Sequence, residues 1–237
     1  MHTGFASRSS PMPLLILLAL ALLVYWELII AEGAHLGPRV VVWLYDAVAS
    51  RYERLKKFQP EWEAETIGWP LAVALAQVNA LRVLDVAAGT GRVARALLRQ
   101  IAFDGAISNI DLSAEMLMHG QRACAAWPER VAWARGPAHQ LPFADNTFDA
   151  VTCLEALEFL PSTCAALAEC VRVLKPGGML LVTNRVGWPA WLMFGKTFSR
   201  AAFGRVLARF PLEDVRPQRW QVEYDLVWAK KSKREGG

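Results

Sequence analysis

The sequence predicts an α/β domain, a mostly parallel sheet covered by helices on both faces, preceded by one hydrophobic helix. Three observations predict it. From residue 81 onward, short apolar runs alternate with helical stretches. The first of those runs leads into a glycine-rich turn that opens a helix, and residues 14–31 are apolar except for Glu27. Strands buried on both faces read as continuous apolar runs, and parallel neighbours need a helical crossover, so the alternation selects a parallel sheet.

The N-terminal run is considered first. At roughly 18 residues it is near the lower limit for crossing a hydrocarbon core about 30 Å thick. Tyr25 and Trp26 lie near one end, where interfacial aromatics are expected, and this places Glu27 at the headgroup boundary. Ala31-Glu32-Gly33 is a poor signal-cleavage site, and a core helix apolar on every face suits few domains of this size. The reading is therefore a tail over 1–13, a transmembrane anchor over 14–31 and one domain over 32–237. Arg8 is the only Lys or Arg before the anchor, whereas Arg39, Arg51, Arg54, Lys56 and Lys57 follow it, so the domain is expected in the cytoplasm.

The elements follow in order. After a breaker-rich link at 33–38, amphipathic helices are predicted over 40–58 and 62–79, the second interrupted at 68–70. Strands are predicted over 81–86, 106–110, 131–134, 148–153 and 178–183, with helices over 91–101, 114–127 and 162–174. Residues 187–210 break the rhythm with Trp, Phe and Arg. Two last strands, 215–220 and 223–229, stand too close for a crossover helix and should pair antiparallel.

Composition narrows the function. A chain of 237 residues with 54% hydrophobic and 20% charged residues is globular, and a net charge of only +4 argues against a nucleic-acid surface. Much of the basic excess sits at Lys230, Lys231, Lys233 and Arg234, where it can attract anionic headgroups. Cys124, Cys153, Cys164 and Cys170 form no CxxC pair and have no histidine cluster beside them, so they read as reduced structural thiols and no metal is expected.

The chemistry concentrates in Val83-Leu84-Asp85-Val86-Ala87-Ala88-Gly89-Thr90-Gly91-Arg92. Gly89 and Gly91 allow a sharp turn and close approach of a ligand where a Cβ would collide. The third glycine of a dinucleotide fingerprint is missing, and Asp85 before the turn suits a cationic amino group better than a pyrophosphate. About 20 residues on, Asp111 ends the second strand, where a carboxylate can accept from both hydroxyls of a ribose. Ser113 is placed to cap the next helix, which leaves Asp111 free of that task.

Asp85 to Gly91 resembles the first motif of class I methyltransferases, and Asp111-Leu112-Ser113 with Glu115-Met116-Leu117 resembles their second. Segments 140–149 and 174–178 resemble later ones. The nearest group is the small-molecule branch that includes ubiquinone and menaquinone biosynthesis enzymes, and the similarity covers 45–231. The resemblance implies a Rossmann-like sheet of order 3-2-1-4-5-7-6 with strand 7 antiparallel, and S-adenosylmethionine as cofactor. By motif, Asp85, Ala87, Gly89, Thr90 and Gly91 would surround its amino-acid end, Asp111 its ribose, and Leu112 and Ala138 its adenine, with Tyr52 as a lid. Pro137 stands where many relatives carry an acidic residue, and His139 or a backbone carbonyl is expected to meet the adenine amino group instead.

Methyl transfer from a sulfonium is an in-line displacement that demands alignment and exclusion of water. A phenol or carbon acid would also need a base, for which Glu155, after the fourth strand, is the candidate ahead of Glu158. The apolar run 188–194 suggests an apolar pocket or a membrane-interface contact. Together these readings imply methyl transfer to a small hydrophobic or lipid-like acceptor at the membrane. A non-catalytic cofactor-binding or assembly protein on the same fold is the alternative. A nucleic-acid methyltransferase is disfavoured, since the Asn-Pro-Pro-aromatic motif is missing.

Overall fold

A computed structural model describes residues 12–78 and 80–233. The predicted tail, with Arg8, lies mostly outside the described residues, as do Asn79 and Arg234. The chain order is α1 (Met12–Tyr25), α2 (Pro38–Val48), α3 (Tyr52–Lys56), α4 (Pro60–Glu63), α5 (Trp69–Leu75), β1 (Leu81–Val86), α6 (Arg92–Leu98), β2 (Gly105–Asp111), α7 (Ala114–Ala123) and β3 (Val131–Arg135). Then come β4 (Phe148–Cys153), α8 (Thr163–Val173), β5 (Leu174–Arg185), α9 (Trp188–Trp191), α10 (Arg200–Leu207), β6 (Leu212–Arg219) and β7 (Tyr224–Lys231).

The seven strands form one sheet in the order β3-β2-β1-β4-β5-β7-β6. β1 pairs in parallel with both β2 and β4, whereas β7 runs antiparallel between β5 and β6. The order expected from the resemblance is the one observed, and the closely spaced final strands are the antiparallel pair predicted for them.

Alternation along the strands explains why both faces are covered. Leu84 and Val86 of β1, Val151 and Cys153 of β4, and Leu180 and Val182 of β5 join a core with α8 and α10. Leu81 and Val83, Ala150 and Leu181 point the other way, into a core with α5 and α6. Burial on this scale contributes about 1.5–3 kcal/mol for each large aliphatic side chain removed from water.

The helices before β1 are shorter and more broken than the periodicity predicts. The stretch predicted as one helix over 40–58 is α2, a 3-10 turn and α3, which ends with Lys57 left-handed at φ 51°. The stretch 62–79 is α4, a π-helical turn over Ala64–Gly68, and α5. Gly68 explains the irregularity: a Cβ there would lie 2.2 Å from the carbonyl oxygen of Ala96, so the two segments touch backbone to backbone.

Residues Met12–Ile30 form one apolar helix of 19 residues with mean hydropathy 2.5, long and apolar enough to cross a membrane. None of the side chains of α1 is buried. At its end Glu27 is buried against the domain, where His35 donates to it from its backbone N (3.0 Å) and pairs with it through Nδ1 (2.9 Å). Trp26 donates from Nε1 to the carbonyl of Leu192. Residues 26–36 therefore pack onto the domain predicted to begin at 32.

The basic C-terminal run is likewise engaged in part. Lys231 Nζ donates to the carbonyls of Val171 and Leu174 and to Asn146 Oδ1, capping the end of α8. The four cysteines are free thiols, three of them buried, and burial pushes Cys124 up to about 11 and Cys170 up to about 12.

Gly68→Ala is expected to destabilise the domain by about 1–3 kcal/mol, as overpacking does. Urea denaturation checks it: a lowered midpoint at unchanged slope is expected.

Candidate active site

Strand order reverses at β1, whose neighbours β2 and β4 leave on opposite sides, and the crevice at such a point opens at the carboxyl ends of the strands. Asp85 in β1, Asp111 ending β2, and Glu155 just after β4 all lie at that end.

The glycine-rich turn is left-handed three times, at Ala87 (φ 55°), Gly89 (φ 54°) and Gly91 (φ 76°). The two glycines serve different purposes. A Cβ on Gly91 would meet the Trp133 ring at 2.7 Å, so this glycine serves internal packing of the turn against β3. A Cβ on Gly89 would meet nothing within 4 Å: the residue takes a left-handed backbone angle and faces open space at the cleft. Ala87 holds its positive φ without that freedom, at a cost of order 1–3 kcal/mol. Thr90 Oγ1 is buried and has no hydrogen-bond partner.

Asp85 is buried and accepts from Thr152 Oγ1 at 2.6 Å. Burial pushes its carboxyl up to about 7, so near neutrality it exchanges between acid and carboxylate. Asp111 accepts from the backbone N of Gly89 and of Ser113, both at 2.8 Å. Ser113 Oγ accepts from Met116 N and caps α7, as predicted. Asp111 is thus spared capping, but its two oxygens brace the turn and the strand end. Burial raises its pKa, and those two amides oppose the rise.

A cleft of about 760 Å³ extends from Gly89 and Asp111 past Leu112, Met116, Gly136 and Ala138, under Tyr45 and Tyr52, to Pro38, Val41, Phe159, Leu160 and Pro161. A smaller one of about 370 Å³ adjoins it at Tyr52, Ala87, Gly89, Leu154 and Glu155, and is lined also by Asp85 and Thr90. His139 is exposed and lines neither, so the position offered as a compensating partner lies outside the cleft, while Gly136 and Ala138 bracket Pro137 at its wall.

The α2 segment over the cleft is fastened by contacts that sequence reasoning missed. Asp46 of α2 accepts from Ser113 Oγ and from Glu115 N, at the N-terminal end of α7. Tyr45 donates to Glu32 and packs against Tyr52, with ring centroids 5.8 Å apart. Tyr52 in turn meets Phe58 edge-on, and burial raises its phenol pKa.

Arg92 was quoted in the motif but given no role. It is buried, holds Glu63 with Nε and Nη2 (both 2.7 Å), and donates from Nη1 to Glu155 Oε1 at 2.6 Å. Burial alone would lower its pKa, but the two carboxylates more than offset this and keep it charged. Gln221 also donates to Glu155 Oε1, at 2.9 Å. Glu155 therefore lies in the cleft wall as an arginine-paired carboxylate. Glu158 is buried, accepts from the Tyr224 hydroxyl, and lines neither cleft. No metal-binding cluster of His, Cys, Asp or Glu occurs among the described residues.

The sheet order with its antiparallel β7, the acidic strand ends and the glycine turn define a class I methyltransferase fold, and residues 84–182 match the family described as methyltransferase domain. Within that class the chain resembles quinone-biosynthesis enzymes. It is 32% identical over 160 residues to the ubiquinone/menaquinone biosynthesis C-methyltransferase UbiE of Roseobacter denitrificans, covering 65% of this chain and 61% of that one. It is 37% identical to the demethylmenaquinone methyltransferase of Lactiplantibacillus plantarum, covering 58% and 59%. The chain thus spans about three-fifths of the length of these relatives. Among solved structures, the CurJ carbon methyltransferase superposes with a TM-score of 0.59 at 15% identity, covering 67% of this chain and 51% of that one. The [4+2]-cyclase SpnF gives 0.59 at 21%, covering 70% and 79%. At these identities the structural likeness is one of fold.

The raised pKa of Asp85 has a direct consequence for stability. Between about pH 4 and pH 7 the folded state keeps a proton that the unfolded chain has lost, so stability falls as pH rises through that window. Asp85→Asn is expected to flatten this slope and to raise the melting temperature more at pH 8 than at pH 5. Equal shifts at both values would contradict it.

Proposed function

We propose that this chain binds S-adenosylmethionine at the carboxyl ends of β1, β2 and β4 and transfers its methyl group to a small hydrophobic acceptor of the quinone-precursor kind. One observation carries the reading: the cleft is acidic at one end and apolar at the other. Arg92, the cation in its wall, is matched by two carboxylates, so Asp85 and Asp111 bias that end toward cationic ligands. The residues fit the cofactor. Thr90 Oγ1 lacks a partner, and Gly89 faces open space beside it.

Asp85 and Thr90 would hold the amino-acid end, Asp111 the ribose, and Leu112 and Ala138 the adenine, with Tyr52 closing over them. The cofactor, when bound, supplies an electrophilic methyl group on a sulfonium. The chain's own task is alignment and exclusion of water, for which α2 and Tyr52 form the cover and Val41, Phe159 and Leu160 the apolar wall. Glu155 is the carboxylate proposed to face the acceptor. Its Oε1 is already held by Arg92 and Gln221, which favours a positioning and electrostatic role over proton abstraction.

We further propose that residues 14–31 anchor the protein in a membrane with the domain, 32–237, on the cytoplasmic side. The length and apolar character of Met12–Ile30 and the excess of Lys and Arg after it support this reading. A reporter fused after Gly237 should then be active only in the cytoplasm, and activity on the far side of the membrane would reverse the orientation.

Calorimetry tests the cofactor reading. Micromolar binding of S-adenosylmethionine is expected, lost in Asp85→Ala and in Gly89→Arg, and a folded chain that binds none would refute it. For Glu155→Gln, a several-fold weaker Kd with less than a tenfold fall in kcat is expected. A hundredfold fall in kcat at unchanged Kd would restore Glu155 as the base.

A further inference from the structure

The apolar helix does not end in a flexible tether. Trp26 stacks on His35 (centroids 5.1 Å apart) and packs against Phe194 (5.8 Å), besides its bond to the Leu192 carbonyl. His35 joins the same junction from both ring nitrogens, Nδ1 to Glu27 and Nε2 to the Phe194 carbonyl, each at 2.9 Å. The last turn of the helix is therefore bound to the segment that follows β5.

That segment turns its aromatic side chains outward. Trp188, Trp191 and Phe194 are 70%, 81% and 67% exposed, and Leu36 and Trp43 are exposed large hydrophobic residues as well. An exposed aromatic cluster of this kind marks an interaction surface, and tryptophan favours the headgroup level of a bilayer. What covers it follows from continuity, because the cluster adjoins the end of a helix apolar enough to span a membrane. Inside the junction, Ala34, Phe159 and Met193 form a small buried core with Val41 against it. Val41 and Phe159 also line the apolar end of the cleft.

We propose that Trp188, Trp191 and Phe194 lie in the headgroup layer as a second membrane contact, and that the junction holds the apolar end of the cleft against the bilayer, so that a lipid-tailed acceptor passes into it directly from the membrane. This rests on the reading of residues 14–31 as an anchor. A single helix would leave the domain free to swivel, whereas two contacts joined by the Glu27–His35–Phe194 bonds fix its orientation. Pro38, Leu160 and Pro161 then form the rim through which the tail passes.

The test uses the full chain in vesicles of phosphatidylethanolamine and phosphatidylglycerol, with Cys164→Ser to remove the one thiol that is not buried. Nitroxide labels are attached to Trp191→Cys and Pro161→Cys, to Leu20→Cys as a report on the helix, and to the exposed Ile101→Cys as an aqueous reference. Relaxation by oxygen is compared with relaxation by a water-soluble nickel chelate. Oxygen should dominate at 20, 191 and 161, with 161 the shallowest, and the chelate at 101. The proposal is overturned if 191 and 161 behave like 101 while 20 remains in lipid. An aqueous signal at 20 as well would overturn both the proposal and the anchor. A lipid signal at 191 with an aqueous one at 161 would overturn the passage from the bilayer.

Discussion

The Arg92 guanidinium lies between two carboxylates and two rings, and its position constrains nearly everything around the cleft. A buried cation is tolerated only when its charge is met locally, and leaving either carboxylate alone would cost several kcal/mol. Glu63 comes from α4 and Glu155 from the end of β4, while Phe58 and Trp220 cover the guanidinium at 4.4 and 4.6 Å. Helices before the sheet, the first crossover helix and the final hairpin are thus tied to one charge. Through Trp220, which stacks on Trp62, and Gln221, which donates to Glu155, the final hairpin reaches both the helices before the sheet and the cleft wall.

That network also gives the site its electrical character. With Arg92 matched by its own pair, Asp85 and Asp111 set the polarity of the strand ends. Asp85 is kept there against its preference for water, and the Thr152 hydroxyl offers only partial compensation. A strained Ala87 and an unpartnered Thr90 hydroxyl sit within five residues of it. Such departures from local optimality concentrate where a chain is shaped for a ligand instead of for stability.

Much of this was legible in the sequence. The strands were readable because a strand buried on both faces is apolar throughout, and β1 and β4 fall at the predicted positions. Asp85, Gly89 and Asp111 were legible from the strand ends and the glycine turn, Leu112 and Ala138 from the family resemblance, and all lie at the two clefts. What escaped was set by contacts distant in the chain. Glu63 and Arg92 are 29 residues apart, and Asp46 and Ser113 are 67 apart, with no periodicity to link them. The partner of Glu27 escaped for the same reason, since only the fold shows His35 turning back to meet it. His139 lies outside both clefts, because proximity in sequence to Ala138 says nothing about which way a side chain turns at a loop.

The position of β7 bears on the order in which the protein can be assembled. It follows β6 in sequence, yet it fills the place between β5 and β6. β5 is the longest strand, with 12 residues, and it keeps one bare edge until β7 has been synthesised. During translation the open edge of β5 waits until the residues of β7 have emerged. Unpaired edges recruit foreign strands. The strand at risk is 12 residues long, so any delay in making β7 leaves the longest strand of the sheet exposed at one edge.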